Sequence, residues 1–463
     1  MGRTPVRPKP DTTTAFAAFS PLLGAIRSGV VSRFGRTGAA SAHVMVVLLA
    51  LFLCTPSISG QTPLPIMERV TLDEAVARAL ARNPTVAQAA TAIVRAEGFL
   101  QQARAATRPS VNAGLSTSIL DSGRGFDDLV VQPRTQTLLS ANASVPLLAA
   151  SQWAAATQAR DQIDIARLSV TDVRKEIASA TAQAYLAIIA AQRQIEVNLL
   201  ARETAQAHLE YAQKRLAGGA GTRLNELRAA QEVAGDEARL EITRLAARRA
   251  QEALGVLTAT DGPVDAAAEP MFEVPTIADE PIWMAARPDL QLFAATQRAA
   301  ERTSRDSFKD YFPTVFASFD PQAVTPSGLF QPSRTWRLTF SASQSIFDGG
   351  QRKGMARVRE ADAASSRFQL TSAQIQARSE VRMAQEDVRA TERALDSIRL
   401  AAQHAQDVLS ITNTAFQAGA TTNLEVIDAQ RSARDSQAAA AIGEDAVRRA
   451  RLDLLIALGR FPR

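Results

Sequence analysis

The chain has 463 residues, enough for about three ordinary domains, and 21% of them are charged. Its formal net charge of +5 resides in the first sixty residues, which carry six basic side chains and one acidic side chain. The remainder holds 46 basic and 46 acidic residues. This balance excludes a protein that binds nucleic acid through a basic surface, so we expect no nucleic acid among the partners.

Residues 1–60 have the order of an export signal and its leader. A basic stretch precedes the apolar core Val44–Leu53, and small residues follow it to Gly60. An apolar run this short cannot span a bilayer as a helix, which needs about 20 residues, so we expect it to direct export. Cys54, the only cysteine, is a candidate for lipidation, although Leu53 stands where such signals usually have a small residue. No disulfide can form within the chain.

The next segment is predicted to be helical. Thr71-Leu72-Asp73-Glu74 forms a capping box, in which the Thr71 hydroxyl accepts from the Glu74 amide and the Glu74 carboxylate binds back to the Thr71 amide. Apolar residues then recur with helical spacing. Asn83-Pro84 interrupts or kinks the helix, which continues to about Ala106.

Alternation of polar and apolar residues predicts two strands in each half of the chain. In the first half these strands are 110–120 and 137–147. The second half begins its alternation at Val315 and shows it most clearly later, with these residues on one face: Trp336, Leu338, Phe340 and Ala342. The opposite faces are rich in Ser, Thr and Asn and nearly free of charge, which suits a wall that faces water.

Two long tracts without proline are dominated by strong helix formers. Each tract is broken once, by the turns that begin at Gly219 and Gly419. Ahead of these turns, residues 149–216 and 350–417 each predict a helix of about 70 residues, on the order of 100 Å long. Helices of this length must pack against other helices along their span, as in a coiled coil or a helical tube.

The same features occur twice, about 200 residues apart. The matched pairs are Asn83-Pro84 with Arg287-Pro288, Arg108-Pro109 with Phe312-Pro313, and the turn at Gly219 with the turn at Gly419. The chain therefore divides into the leader 1–60, a first repeat 61–260, a proline-rich linker 261–282 without regular structure, and a second repeat 283–463. Each repeat is predicted to have the order helix, strand, strand, long helix, helix.

Four strands per chain cannot close a barrel, since the smallest barrels need about eight. Either copies of the chain share a barrel, or the strands form a small soluble sheet. The fold class is mainly α with a β part in both cases.

These ordered motifs resemble the TolC-like outer membrane efflux protein family over nearly all of the chain after residue 66. The resemblance rests on Leu72–Val76, Asn83-Pro84, Arg287–Leu290, Ile346–Gly350 and both glycine turns. It implies a mainly α fold with a transmembrane β part, in which a homotrimer shares a 12-stranded β-barrel in the outer membrane. Its long helices would form an α-barrel that extends into the periplasm. The implied partners are a periplasmic adaptor, an inner-membrane transporter and outer membrane lipid, with no cofactor.

The resemblance also assigns candidate site residues. Glu425 and Asp428 lie where relatives carry aspartates that line the narrow end of the tunnel, and Asn225 stands at the matching place in the first half; these are candidate gate residues. The turns meet the adaptor in this family, which gives these candidate contact residues: Gly219, Arg223, Leu224, Gly419, Asn423 and Leu424. The strand face with Trp336, Leu338 and Phe340 is the candidate lipid-facing surface.

Local explanations compete with these assignments. Thr422 and Glu425 also fit a capping box, in which the Glu425 carboxylate only satisfies a free amide. Asp428 has an alternative role as a solvated residue near a helix N-terminus, where negative charge is favourable. The glycines have an alternative role as turns and nothing more.

We expect a passive exit duct of a tripartite efflux pump, driven by an inner-membrane transporter. The alternatives are the duct of a type I protein secretion system and a periplasmic coiled-coil scaffold without a pore. An enzyme is not expected, because His208 and His404 lie on long helices without clustered ligands or catalytic partners. Both histidines are predicted to be exposed.

Overall fold

The computed structural model describes residues 67–126, 129–274, 276 and 278–462. The predicted export signal, the leader and Cys54 lie outside these residues. Among the helices described, none combines the length and the apolar character needed to cross a membrane.

The first half begins with a short strand and two helices and ends in two long helices. Its elements are β1 (Glu68–Val70), α1 (Leu72–Arg82), α2 (Pro84–Ala105), β2 (Ser110–Ile119), β3 (Arg124–Phe126), β4 (Leu129–Gln132), β5 (Thr135–Leu148), α3 (Ala150–Ala217) and α4 (Arg223–Thr258). The predicted helix 149–216 is thus confirmed within one residue at each end.

The second half repeats this order after a connecting strand. Its elements are β6 (Val264–Ala266), α5 (Glu280–Ala286), α6 (Pro288–Arg305), a 3₁₀ turn (Asp306–Tyr311), β7 (Thr314–Thr325), β8 (Arg334–Ser343), α7 (Gln351–Gln417) and α8 (Asn423–Ala457). The predicted helix 350–417 is confirmed as α7.

The two glycine turns fold α3 back onto α4 and α7 back onto α8; we call these pairs the first and second hairpins. Gly219 and Gly419 have φ of 75° and 77°, the left-handed conformation that glycine adopts without steric cost. The following amides, of Ala220 and Ala420, donate to carbonyls of the preceding helix at 2.9 and 2.8 Å. Both turns therefore end a long helix in the way predicted from their glycines.

The strands form one antiparallel sheet in the order β2, β5, β7, β8. Val111, Ala143, Phe319 and Leu338 lie side by side across its four strands, so the apolar residues of both halves share one face. On the opposite face Asn142 donates to Asp320, and the remaining residues there are mostly small and polar. The two faces predicted from alternation are confirmed.

The helices beside the sheet follow the same order as the strands. Helix α2 packs on α3, α3 on α6, and α6 on α7, so that α2 and α7 lie at the two edges as β2 and β8 do. A buried cluster at the far end of this layer joins the repeats. There the Tyr185 hydroxyl donates to the carbonyl of Ala268 at 2.7 Å and packs with Leu254 and Leu452.

The proline-rich linker contains regular structure, contrary to the prediction. Val264, Asp265 and Ala266 form the buried strand β6, which pairs in parallel with β1. Asp265 accepts hydrogen bonds from Gln192 and Gln251 at 2.8 and 2.9 Å. A segment this short pairs because a distant strand supplies its partner, which no local pattern reveals.

One of the two predicted helix starts differs in detail from its prediction. The Thr71 hydroxyl accepts from the Glu74 amide, as predicted, but the Glu74 carboxylate binds Arg78 at 2.6 Å rather than the Thr71 amide. Asn83 ends α1 and caps α2, because its side chain accepts from the amide of Thr85 at 2.9 Å. The prediction that Asn83-Pro84 interrupts the helix is confirmed.

The start of α7 explains why Asp348-Gly349-Gly350 stands after the last strand. Asp348 accepts from the amides of Gly350 and Arg352 at 3.0 and 3.1 Å, and from the Arg352 side chain at 2.6 Å. These bonds, led by the Arg352 guanidinium, lower the pKa of Asp348 to about 2. Gly349 and Gly350 both have positive φ, so glycine allows the sharp entry into the helix.

We predict that the two faces of β8 tolerate charge differently. Leu338 lies on the apolar face opposite Phe319, and Thr339 lies on the polar face opposite Ser318. If the apolar face contacts lipid, Leu338→Arg costs about 2 to 4 kcal/mol near the bilayer midplane and blocks membrane assembly, whereas Thr339→Arg assembles. The measurement is the amount of each variant in purified outer membranes; equal amounts would contradict the lipid-facing assignment.

Candidate functional site

The second hairpin carries the two candidate gate carboxylates at the start of α8. The Thr422 hydroxyl accepts from the Glu425 amide at 3.3 Å, and the Glu425 carboxylate accepts from the Thr422 amide at 3.2 Å. The capping box considered as an alternative is therefore present in the single chain. Asp428 lies one turn further on the same exposed face, and both carboxylates are open to solvent.

The first hairpin has a matching but uncharged start. The Thr222 hydroxyl accepts from the amide of Asn225 at 3.3 Å, and Asn225 itself is half-buried. Arg223 is exposed and pairs with Glu226 on the same helix. The third candidate gate position thus lies at the equivalent point of α4, with an amide where α8 has a carboxylate.

The predicted contact residues at the tips fall into two groups. Leu224 and Leu424 are 56% and 48% exposed, so each hairpin presents one leucine to solvent directly after its turn. Asn423 is only 4% exposed, and its Oδ1 atom lies 2.8 Å from Nε2 of His208 on α3. Its side chain is engaged within the chain and is not presented to a partner, contrary to the prediction for Asn423.

His208 is buried, so the prediction that it is exposed was wrong; His404 is exposed as predicted. The ring of Phe416, in the last turn of α7, lies 5.5 Å from the ring of His208 and 5.7 Å from that of Tyr211. We call His208, Tyr211, Phe416 and Asn423 the tip cluster. It brings together α3, the end of α7 and the start of α8, and so joins the first hairpin to the second near the turns.

A second junction between the hairpins is ionic. Nη1 of Arg434, on α8, lies 2.9 Å from carboxylate oxygens of both Glu232 and Asp236 on α4. Arg431 also binds Glu232, at 2.7 Å. We call these four residues the ionic cluster.

Three of the four side chains of the ionic cluster are buried, and only Arg431 is partly exposed. The side chains of Arg434, Glu232 and Asp236 are 8%, 6% and 4% exposed. Burial alone would raise the pKa of Glu232, but hydrogen bonds from Arg431 and Arg434 outweigh burial and hold this pKa below its usual value. Such charges are tolerated in a protein interior only while they remain paired, so the cluster resists separation of α4 from α8.

No pattern within one helix revealed this junction. Glu232 and Asp236 are spaced i, i+4, and Arg431 and Arg434 are spaced i, i+3, so each pair occupies one helix face. This matched spacing of opposite charges was the only signal available. Among the described residues, no three His, Cys, Asp or Glu side chains converge in a way that would hold a metal ion.

A family model and a curated relative both match this chain, and they agree with each other. Residues 75–260 and 283–460, in both repeats, match the model of the outer membrane efflux protein family. The pyoverdine export outer membrane protein OpmQ of Pseudomonas putida is 25% identical over 385 residues, covering 79% of this chain and 82% of OpmQ.

Solved structures show the same fold. The outer membrane protein VceC of Vibrio cholerae superposes with a TM-score of 0.72 at 21% identity, over 84% of this chain and 96% of VceC. The CmeC outer membrane channel of Campylobacter jejuni gives a TM-score of 0.73 at 15% identity, over 84% of this chain and 85% of CmeC. At these identities the similarity supports the fold alone.

We predict that Arg434→Ala destabilises the protein, because it removes the buried cation shared by Glu232 and Asp236 and leaves them paired only with the more exposed Arg431 and Arg239. Leaving a buried charge without any partner costs about 3 to 5 kcal/mol, which is the upper bound for this variant because Arg431 and Arg239 remain. The loss lowers the midpoint of thermal unfolding. The matched control is Arg389→Ala, whose side chain is 71% exposed in a loose pair with Glu386; a surface change of this kind stays within about 0.5 kcal/mol.

The difference in stability between the wild type and Arg434→Ala should depend on pH, with a sign that follows from the pKa of Glu232. The folded pKa of Glu232 is lowered, so its stabilisation is present above the ordinary glutamate pKa of about 4.3 and is lost as the pH falls through the folded value. Acidification should therefore reduce the difference between wild type and Arg434→Ala. Equal unfolding midpoints for the Arg434 and Arg389 variants at pH 7 would contradict a stabilising junction.

Proposed function

Because the chain belongs to the outer membrane efflux protein family, we propose that three copies of it form the exit duct of a tripartite efflux pump. Membership makes the chain an outer membrane efflux protein and not an enzyme. The proposal adds the trimer, the periplasmic adaptor, the inner-membrane transporter and a passive role in conduction.

The observation that carries the proposal is the sheet with two open edges. Within the described part of the chain, strands β2 and β8 each have a neighbour on one side only, which leaves a row of unpaired backbone groups along each edge. These groups cannot remain unpaired in lipid. Since β2 and β8 run in opposite directions, β8 of one copy can continue the antiparallel ladder with β2 of the next. Four strands from each of three copies give the 12 strands of a closed barrel.

The edge helices support the same arrangement. Along α7, apolar side chains are exposed on one stripe at Val358, Phe368, Ile375 and Met383. The opposite edge helix, α2, exposes Val94 and Phe99. Large apolar side chains in such numbers mark a surface that contacts another protein. A neighbouring copy whose sheet pairs with β8 would bring its α2 against this stripe.

The residues exposed at the hairpin tips are consistent with the proposed gate and the proposed adaptor contact. Threefold symmetry turns Glu425 and Asp428 into rings of three carboxylates each, and a narrow opening with low-dielectric walls focuses the field of such charges. The exposed leucines Leu224 and Leu424 provide an apolar surface at the tips for the adaptor, and Arg223 beside the turn at Gly219 adds a charged contact. A non-pore scaffold needs neither an apolar sheet face nor these open edges.

We predict that the protein purified in detergent is a trimer. The two open sheet edges and the exposed stripe on α7 all require a neighbour, and a closed ring satisfies every copy equally. The measurement is the mass of the particle corrected for bound detergent. A folded monomer would contradict the shared barrel.

We predict that Glu425 and Asp428 make the channel cation-selective. In planar bilayers, Glu425→Gln with Asp428→Asn should sharply reduce selectivity for potassium over chloride while changing conductance less. Glutamine also fits the third position of a capping box, so this variant removes charge and keeps the cap. The control is Asp407→Asn, an exposed carboxylate of α7 outside the candidate gate.

Single variants separate the two roles of Glu425. Glu425→Ala should lower the unfolding midpoint by loss of the cap, whereas Glu425→Gln should not. Unchanged selectivity in the double variant would show that Glu425 serves only as a cap and that the gate lies elsewhere.

A further inference from the structure

We propose that His208 is a proton-operated latch that keeps the gate helix α8 on the first hairpin at neutral pH and releases it on acidification. The proposal rests on the proposed channel, since it assigns a regulator to the gate of that channel. It concerns a residue that neither the gate rings nor the adaptor contact uses.

The position of His208 links three helices at the hairpin tips. The residue lies on α3, and its Nε2 atom is 2.8 Å from Oδ1 of Asn423. Asn423 is the first residue of α8 and precedes Glu425 by two positions. The ring also packs against Phe416 at the end of α7. One imidazole therefore holds the turn of the second hairpin against the first.

The contact suits a neutral ring. An amide oxygen accepts from the Nε2 hydrogen of a neutral imidazole, so the bond needs no charge. The environment is mostly buried, and the Asn423 amide nitrogen and the Gln430 amide oxygen are buried there without hydrogen-bond partners among the described residues. Burial lowers the pKa of His208, and the bond to Asn423 offsets this only in part.

The charged groups around the ring do not form a counterion for an imidazolium. From α3, Glu203, Glu210, Tyr211 and Lys214 line the cavity beside the ring, and Arg215 lies over the ring of Phe416. From α7, Asn413 and Gln417 line it, and both are uncharged. Neither glutamate lies within ion-pair distance of His208 among the described residues.

Among the described residues, the remaining helices place no carboxylate within ion-pair distance of His208. Helix α8 contributes Asn423 and Gln430, while Glu425 caps its own helix. Helix α4 contributes Glu232 and Asp236 to a second cavity that Gln430 also borders, and both are bound to Arg434. A proton on His208 would therefore be held in the closed contact without compensation.

The direction of the switch follows from the lowered pKa. A released His208 in water has the ordinary pKa of about 6.5. The stabilisation of the latched state is thus fully present above this value and is lost progressively as the pH falls below it. Each unit between the two pKa values changes the equilibrium between latched and released states tenfold. The cavity of about 630 Å³ beside the ring gives water and protons access to it.

The test compares two histidine variants of the full-length trimer in planar bilayers at pH 7.5 and 5.5. Conductance of the wild type should rise on acidification. His208→Gln, which stays neutral and keeps an amide donor for Asn423, should remove the rise. His404→Gln changes an exposed histidine of α7 and should respond as the wild type does. Burial raises the pKa of some carboxyl groups, such as Asp445, so the comparison with His208→Gln, and not the pH interval alone, assigns the response to His208.

A third variant supplies the charge directly. His208→Lys should give at pH 7.5 the high conductance that the wild type reaches at pH 5.5. A wild-type response in His208→Gln, loss of the response in His404→Gln, or a conductance of the wild type that is the same at both pH values would overturn the latch. A trimer that conducts no ions at either pH, even with both gate carboxylates neutralised, would instead contradict the channel on which the latch rests.

Discussion

Backbone pairing at the edges of the sheet is the constraint on which the rest of the structure depends. In the described part of each chain, four antiparallel strands leave one open edge at β2 and another at β8, and in the proposed barrel lipid would offer no alternative partner for these backbone groups. Two repeats, each supplying two strands, give an even number, which allows identical copies to close an antiparallel ring. Because the helices α2, α3, α6 and α7 keep the order of the strands, closing the sheet in the proposed trimer would also align the helical layer and bring the hairpin tips around one axis.

At the ionic cluster the two repeats carry different residues at equivalent positions. The acids Glu232 and Asp236 of the first repeat correspond, 200 residues later, to Ser432 and Ser436. The arginines that bind them, Arg431 and Arg434, correspond to Gln231 and Ala234 of the first repeat. Within the ionic cluster each repeat therefore contributes one sign of charge, and neither repeat could form this cluster with a copy of itself. The buried pairing then fixes which hairpin faces which.

The parts of this fold that the sequence predicts are those determined by local chemistry. Absence of proline, the glycine turns and period-two alternation placed α3, α7 and the four long strands, because each signal acts within a few residues. The missed parts depend on partners far along the chain. Strand β6 pairs with β1 nearly 200 residues away, and the burial of His208 depends on Asn423 and Phe416 across the junction. The Glu74 carboxylate binds Arg78 and not the Thr71 amide, because a hydrogen bond to an adjacent cation is stronger than one to a backbone amide.

The asymmetry between the repeats also bears on the two roles of Glu425. Thr222 and Thr422 cap their helices in the same way, yet the third helical position is Asn225 in one repeat and Glu425 in the other. Asparagine does not return the second bond of a capping box, and α4 starts at its equivalent point without it. The cap alone therefore does not require a carboxylate at this place. A cap that orients the side chain fixes the charge at the tip of the hairpin, so the structural role and the proposed gate role of Glu425 are compatible within one geometry.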